Sequence, residues 1–154
     1  MSHARPRTRH LLALLVSGSL LGLTGCAGAE AESFGDPDAE EGTLAAVCPS
    51  TVVIQTDWYA TPERAPAYSL VGPDGEVDVD KGAYSGEIGD TGVRAEVRLG
   101  GPFIGGQPVT AQMYTDTDIH LGIVATDAAV RDYEKFPTVG VFTPMQKSPY
   151  MLMY

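Results

Sequence analysis

Thr51-Val52-Val53-Ile54-Gln55-Thr56-Asp57-Trp58-Tyr59 decides how this chain is read. Its first four residues are β-branched, and their stiff χ1 angles suit a pleated, packed backbone. The run is therefore read as a short buried strand. Thr56 and Asp57, then Trp58 and Tyr59, end it in a polar and aromatic corner. Pro62 marks a helix start, Glu63-Arg64-Ala65-Pro66-Ala67-Tyr68-Ser69-Leu70-Val71 is the body, and Gly72 is the stop. Strand, loop and helix open an α/β unit, in which ligands are met at the carboxyl ends of strands. Trp58, the chain's only tryptophan, stands there either as a core plug or hinge packer or as a ring that faces a ligand.

Downstream, residues 72–92 form an insertion rich in Gly and Asp. Alternation in Glu76-Val77-Asp78-Val79-Asp80 and in Ala83-Tyr84-Ser85-Gly86 predicts a small exposed hairpin. Glu76, Asp78, Asp80 and Glu87 also imitate the first, third, fifth and twelfth positions of an EF-hand. Lys81 occupies the sixth, where the sharp turn requires Gly, and the flanks lack helical patterning. The hairpin reading is preferred and no metal is expected.

Gly92-Val93-Arg94-Ala95-Glu96-Val97-Arg98-Leu99 alternates apolar with charged residues and predicts a second strand, half exposed or near an edge. After Gly100-Gly101-Pro102 and Phe103-Ile104-Gly105-Gly106, the stretch Gln107-Pro108-Val109-Thr110-Ala111-Gln112-Met113-Tyr114 reads as a helix with Pro in its first turn. Amides of a glycine loop before a helix suit an anion or polar ligand, and a plain strand-to-helix turn accounts for the pattern equally well. No Walker lysine and no Gly-x-Gly-x-x-Gly is present, so nucleotide binding is unsupported.

Ile119-His120-Leu121-Gly122-Ile123-Val124 predicts a third strand buried on both faces. Thr126 or Asp127 is expected to cap a helix over 128–136, which Pro137 stops. Thr138-Val139-Gly140-Val141-Phe142 reads as a fourth strand, and Tyr150-Met151-Leu152-Met153-Tyr154 as the start of another. Four strands separated by helical stretches imply right-handed crossovers and an α/β fold with a mainly parallel sheet and flanking helices. Residues 51–154 suffice for a modest core.

The first 25 residues read as an address. Arg5, Arg7 and Arg9 form a cationic segment, and residues 11–23 are a mostly apolar run, too short to span a bilayer comfortably. Leu23-Thr24-Gly25-Cys26 follows and resembles the lipobox of bacterial lipoproteins. The resemblance implies a signal peptide over 1–25, lipidation of Cys26 and an extracytoplasmic protein anchored in the cell membrane. Residues 26–50 are rich in Ala, Gly, Glu and Asp. Self-repulsion and scarce apolar surface make them a disordered acidic tether. The whole chain carries a net charge of −10, and without Arg5, Arg7 and Arg9 there remain 7 basic against 20 acidic residues. That balance argues against nucleic acid and anionic lipid surfaces as partners. With Cys26 lipidated, Cys48 stands alone, as a free thiol or with a partner outside this chain.

Five stretches, in order, carry a wider resemblance: Thr56-Asp57-Trp58-Tyr59, Gly100-Gly101-Pro102, the run from Gln107 to Tyr114, Ala125-Thr126-Asp127 and Gln146-Lys147-Ser148-Pro149. Over residues 51–154 the chain resembles the first lobe of an ABC-transporter substrate-binding lipoprotein. The group is the nitrate/sulfonate/taurine type, in the branch akin to thiamine-pyrimidine-precursor binders. This implies a periplasmic-binding-protein-like fold of type 2, truncated here because the family's second lobe is missing. It also implies capture of a small polar or heteroaromatic solute between lobes, with a permease and an ATPase as partners and no cofactor. Carried over, Asp57, Trp58, Tyr59, Gly100, Gly101, Thr126, Asp127, Gln146 and Ser148 are the ligand-binding residues. Glu63-Arg64-Ala65 departs from the family pattern, where a histidine often follows the acidic residue. Against an enzyme, His120 is the only histidine beyond the signal segment, and no nucleophile–base pair or metal-spaced cluster accompanies it. The alternatives are a single-lobe surface lipoprotein that binds a protein partner, and a non-functional truncated fragment.

Overall fold

Val53, Ile54 and Gln55 are buried at the end of the opening strand, β1 (Thr51–Gln55). The computed structural model describes residues 34–145 and 147. The signal segment, Cys26, Gln146, Ser148 and the 150–154 run lie outside the described residues. After β1 come α1 (Ala65–Tyr68), β2 (Glu76–Asp78), β3 (Ala83–Glu87), β4 (Arg94–Arg98), α2 (Val109–Thr115), β5 (Ile119–Gly122) and α3 (Thr126–Asp132). The protein is an α/β domain built on one five-stranded sheet of order β2-β3-β4-β1-β5.

β1 pairs in parallel with β4 and β5, while β2–β3 and β3–β4 are antiparallel. The sheet is therefore mixed, which corrects the expectation of a mainly parallel one. The cause is the 72–92 insertion. Its hairpin forms as expected, but β3 also pairs along the whole of β4, so the hairpin extends the sheet. β4 consequently lies inside the sheet and not near an edge. Its alternation holds, with Ala95 and Val97 fully buried and Arg98 half-buried among the carboxylates of Glu96 and Asp116.

From β1 the chain passes to β2, returns through β3 to β4 beside β1, and then crosses back over β1 to β5 on the other side. Right-handed connections of opposite direction place their covering elements on opposite faces. The packing agrees. Ile54, Ala95 and Val97 form a core cluster with Ala67 of α1 and Val71 just after it. Gln55, on the other face, is paired with Gly122, and there α2 lies so close that a Cβ at Gly122 would come within 2.5 Å of the Met113 sulfur.

Several elements differ from the sequence reading. The helix expected over 62–71 is a 3₁₀ turn (Pro62–Arg64) followed by the single turn of α1, because Pro66 cannot supply an amide to a longer ladder. α2 begins after Pro108, which stands in extended backbone as its N-cap. β5 is shorter than expected and lies at the sheet edge with Leu121 exposed, so it is not buried on both faces. α3 starts at Thr126, with Ala125 at the N-cap, so neither Thr126 nor Asp127 caps it.

The expected strand at 138–142 is not formed. Val139, Val141 and Phe142 are all at least three-quarters exposed, and no strand among the described residues pairs with them. β-propensity expresses packing against neighbours, and no described strand lies beside this stretch. His120 accepts the Val53 amide at Nδ1 (3.1 Å) where the β1–β5 register slips. It fills a gap in the ladder.

Residues 34–50 form successive turns, tied by the Asp36 amide to the Ala45 carbonyl at 2.7 Å. Cys48, among these turns, makes no disulfide with a described residue. No helix among the described residues is long and apolar enough to cross a membrane.

Candidate functional site

Where β1 ends, the backbone has to turn away from the sheet while leaving no buried polar group unpaired. Gln55 and Thr56, both essentially inaccessible, do this locally. The Gln55 side-chain amide donates to the carbonyls of Thr56 (3.0 Å) and Leu99 (2.9 Å). The Thr56 hydroxyl lies 2.7 Å from the Trp58 carbonyl and 2.9 Å from that of Arg98, and accepts the Gly100 amide at 3.2 Å. The exits of β1 and β4 are thereby knitted into one corner.

The two glycines of the β4 exit let this corner close. A Cβ at Gly100 would fall 2.0 Å from the Thr56 carbonyl oxygen. Gly101, at φ +59°, lies beneath the Trp58 indole, where a Cβ would meet the ring at 2.7 Å. The space freed at both positions is filled by the chain itself. The loop's amides are also committed internally: Phe103 donates to Gly100, Gly105 to Pro102, Gly106 to Gly101 and Gln107 to Ile104. The plain-turn reading of the glycine loop accounts for them, and none of these four amides is free for an anion.

On this base stand three half-exposed aromatic rings. Trp58 meets Tyr59 edge-on with centroids 5.5 Å apart, and Tyr59 meets Phe103 edge-on at 6.1 Å. Trp58, Tyr59 and Phe103 expose 50%, 43% and 45% of their surface, so Trp58 is a surface ring and no core plug. Asp57 beside them is engaged by Arg64, whose Nε donates to Oδ1 at 2.7 Å. Arg64 also donates to the Thr61 hydroxyl at 2.6 Å and so holds the loop in place.

Asp57, Trp58, Tyr59, Gly100 and Gly101 are thus brought together. Thr126 and Asp127 open α3 beyond the neighbouring strand, both exposed. The Ile123 amide donates to the Gln55 carbonyl at 2.9 Å and brings that exit alongside β1. No hydrogen bond among the described residues joins Thr126 or Asp127 to the corner. Gln146 and Ser148 lie outside the described residues. The sequence alone assigns no site role to Phe103 or Arg64; a bulky aromatic inside a glycine loop is the available sign of the first.

Tyr68, under the corner, buries its hydroxyl without a hydrogen-bond partner among the described residues. Burial pushes the phenol above its ordinary value, against the opposing influence of Thr56 and Arg64. A raised phenol contributes stability that is complete below the unfolded value of about 10 and lost as pH rises through the folded value. Tyr68→Phe removes an unpaired polar group and keeps the ring, which still packs against Tyr84. The variant is expected to melt at or above the parent temperature at pH 7, and to lose less stability than the parent between pH 9 and 11. Thermal unfolding followed by circular dichroism across that range checks both.

Two open hollows lie elsewhere, one of about 370 Å³ beside Phe34, Pro37 and Gly92, the other of about 520 Å³ on the acidic hairpin. Neither includes a ring of the corner. Among the described residues no group of three or more His, Cys, Asp and Glu is placed to hold a metal. No protein-family model, curated protein or solved structure matches the chain.

Proposed function

We propose that this protein is the membrane-anchored, extracytoplasmic solute-binding component of an ABC importer. The observation that carries the reading is the position of the exposed Trp58–Tyr59 pair. It stands at the carboxyl end of β1, where the chain departs toward β2 on one side while the later connection from β4 crosses β1 to β5 on the other. Ligands of open α/β sheets are met at such switch points. Half-exposed aromatics over a hydrogen-bonded base suit a small polar or heteroaromatic solute. By the resemblance, this domain forms one wall of the site and a facing lobe closes on the solute by a hinge. Cys26, acylated, holds the protein at the membrane, and the permease and ATPase are its partners.

Exposed Val130, Tyr133, Val139, Val141 and Phe142 favour a second reading, in which this domain binds a protein partner through an apolar face. Isolation of the native protein from membranes under mild cross-linking separates the two. Recovery of an acylated protein with a permease and an ATPase supports the importer reading. An unacylated protein, or an acylated one recovered repeatedly with a different partner and no transporter subunits, rejects it.

A further inference from the structure

The strongest unassigned feature is Phe103 and the contact that holds it. Its ring rests on Gly82, in the turn between β2 and β3. Gly82 is buried at φ +61°, and a Cβ there would meet the Phe103 ring at 2.6 Å. The turn is fixed in turn by the Leu99 amide, which donates to the Gly82 carbonyl at 2.8 Å. The hairpin inserted between β1 and β4 therefore reaches the aromatic corner through one side chain, and a series of contacts runs from Gly82 through Phe103 and Tyr59 to Trp58 and Gly101.

We propose that Phe103 is the third wall of the Trp58–Tyr59 site, set in place by the β2–β3 turn, and that the site takes the head of an organic cation. This rests on the solute-binding reading and narrows it. Ring faces attract cations placed within about 6 Å of their centroids. Neighbouring centroids at 5.5 and 6.1 Å bring more than one ring within reach of a single quaternary ammonium group. The charge around the rings agrees. Asp57, next to Trp58 in the chain, and Glu63 both lie within salt-bridge distance of Arg64, so the three together carry one negative charge in excess. The chain as a whole carries −10, so its field draws cations and repels anions.

Because Trp58 is the only tryptophan, its indole N–H gives a single signal in a ¹H–¹⁵N spectrum of the full chain. Titration with tetramethylammonium chloride is expected to move it saturably. Sodium chloride and tert-butanol, the latter matching the cation in shape without its charge, are expected not to. Phe103→Ala, at a half-exposed position, should leave the melting curve nearly intact and weaken the tetramethylammonium response by about threefold or more. Gly82→Ala should weaken it similarly by displacing the ring, and the double variant should be no weaker than Phe103→Ala alone. An unchanged response in Phe103→Ala overturns the assignment, as does an equal response to tert-butanol or none to any probe. A response to neutral pyrimidine and not to tetramethylammonium also overturns it while leaving a solute site at the corner. The importer reading is judged separately, by the isolation experiment.

Discussion

Gly100→Ala is expected to be a severely damaging single-methyl change at the aromatic corner, lowering stability by about 3 kcal/mol or more. The backbone angles at Gly100 are open to any residue (φ −101°, ψ −152°), so the cost is one of space. The new Cβ would stand 2.0 Å from the Thr56 oxygen, 2.6 Å from the Asp57 carbonyl carbon and 2.8 Å from its Cα. These are main-chain atoms and cannot rotate aside as a flexible side chain would. Moving them breaks the Gly100 amide's bonds to Trp58 and Thr56 and the Thr56 amide's bond to Arg98 at 2.9 Å, where β1 and β4 end together. Gly105→Ala is the contrast. At φ +63° with nothing within 4 Å, it meets no clash and only backbone strain, of about 1 kcal/mol. Urea unfolding of both variants checks the ranking. If Gly100→Ala unfolds at the same midpoint as Gly105→Ala, the corner is more compliant than the close approach implies.

Residues 51–59 could be read because local and global preferences coincide there. Four β-branched side chains want a pleated surface, and the fold supplies one with neighbours on both sides. The same reasoning failed at Val139 and Val141, whose alternation is equally good. Pairing is a property of two segments, and only one of them was in view. The hairpin was visible as a hairpin, but its union with β4 depends on the long-range register from Ala83–Arg98 to Glu87–Arg94. At the site, Trp58 and Tyr59 stood out as aromatics at a strand's carboxyl end. The glycines drew attention as places for a ligand to approach, whereas the structure fills those places with the Thr56–Asp57 backbone and the Trp58 ring. Phe103, marked in the sequence only as a bulky aromatic inside a glycine loop, and Arg64 acquire meaning only once β1, the β4 exit and the hairpin turn converge.

Trp58→Ala is expected to reduce solute binding about fivefold or more while leaving the protein folded. Half of the indole is already in water, so its removal forfeits the remaining contacts with Gly101 and Tyr59. At about 25 cal/mol per Å² that amounts to roughly 1–3 kcal/mol, and the upper end overstates it because an unfolded chain is partly compact. A fully buried Trp would cost about 3–5 kcal/mol. On the binding side, a flat group stacked on an aromatic ring contributes about 1–3 kcal/mol, which one truncation removes entirely. Isothermal titration with the solute that accompanies the native protein, alongside thermal melting, gives two independent numbers. Lost binding with a small drop in melting temperature assigns Trp58 to the site. Unchanged binding in a folded variant moves the site away from this corner. A collapse of the fold would mean that the indole braces Gly101 and the β4 exit more than its exposure indicates, and Trp58→Phe, which keeps a ring over Gly101, should then restore the fold.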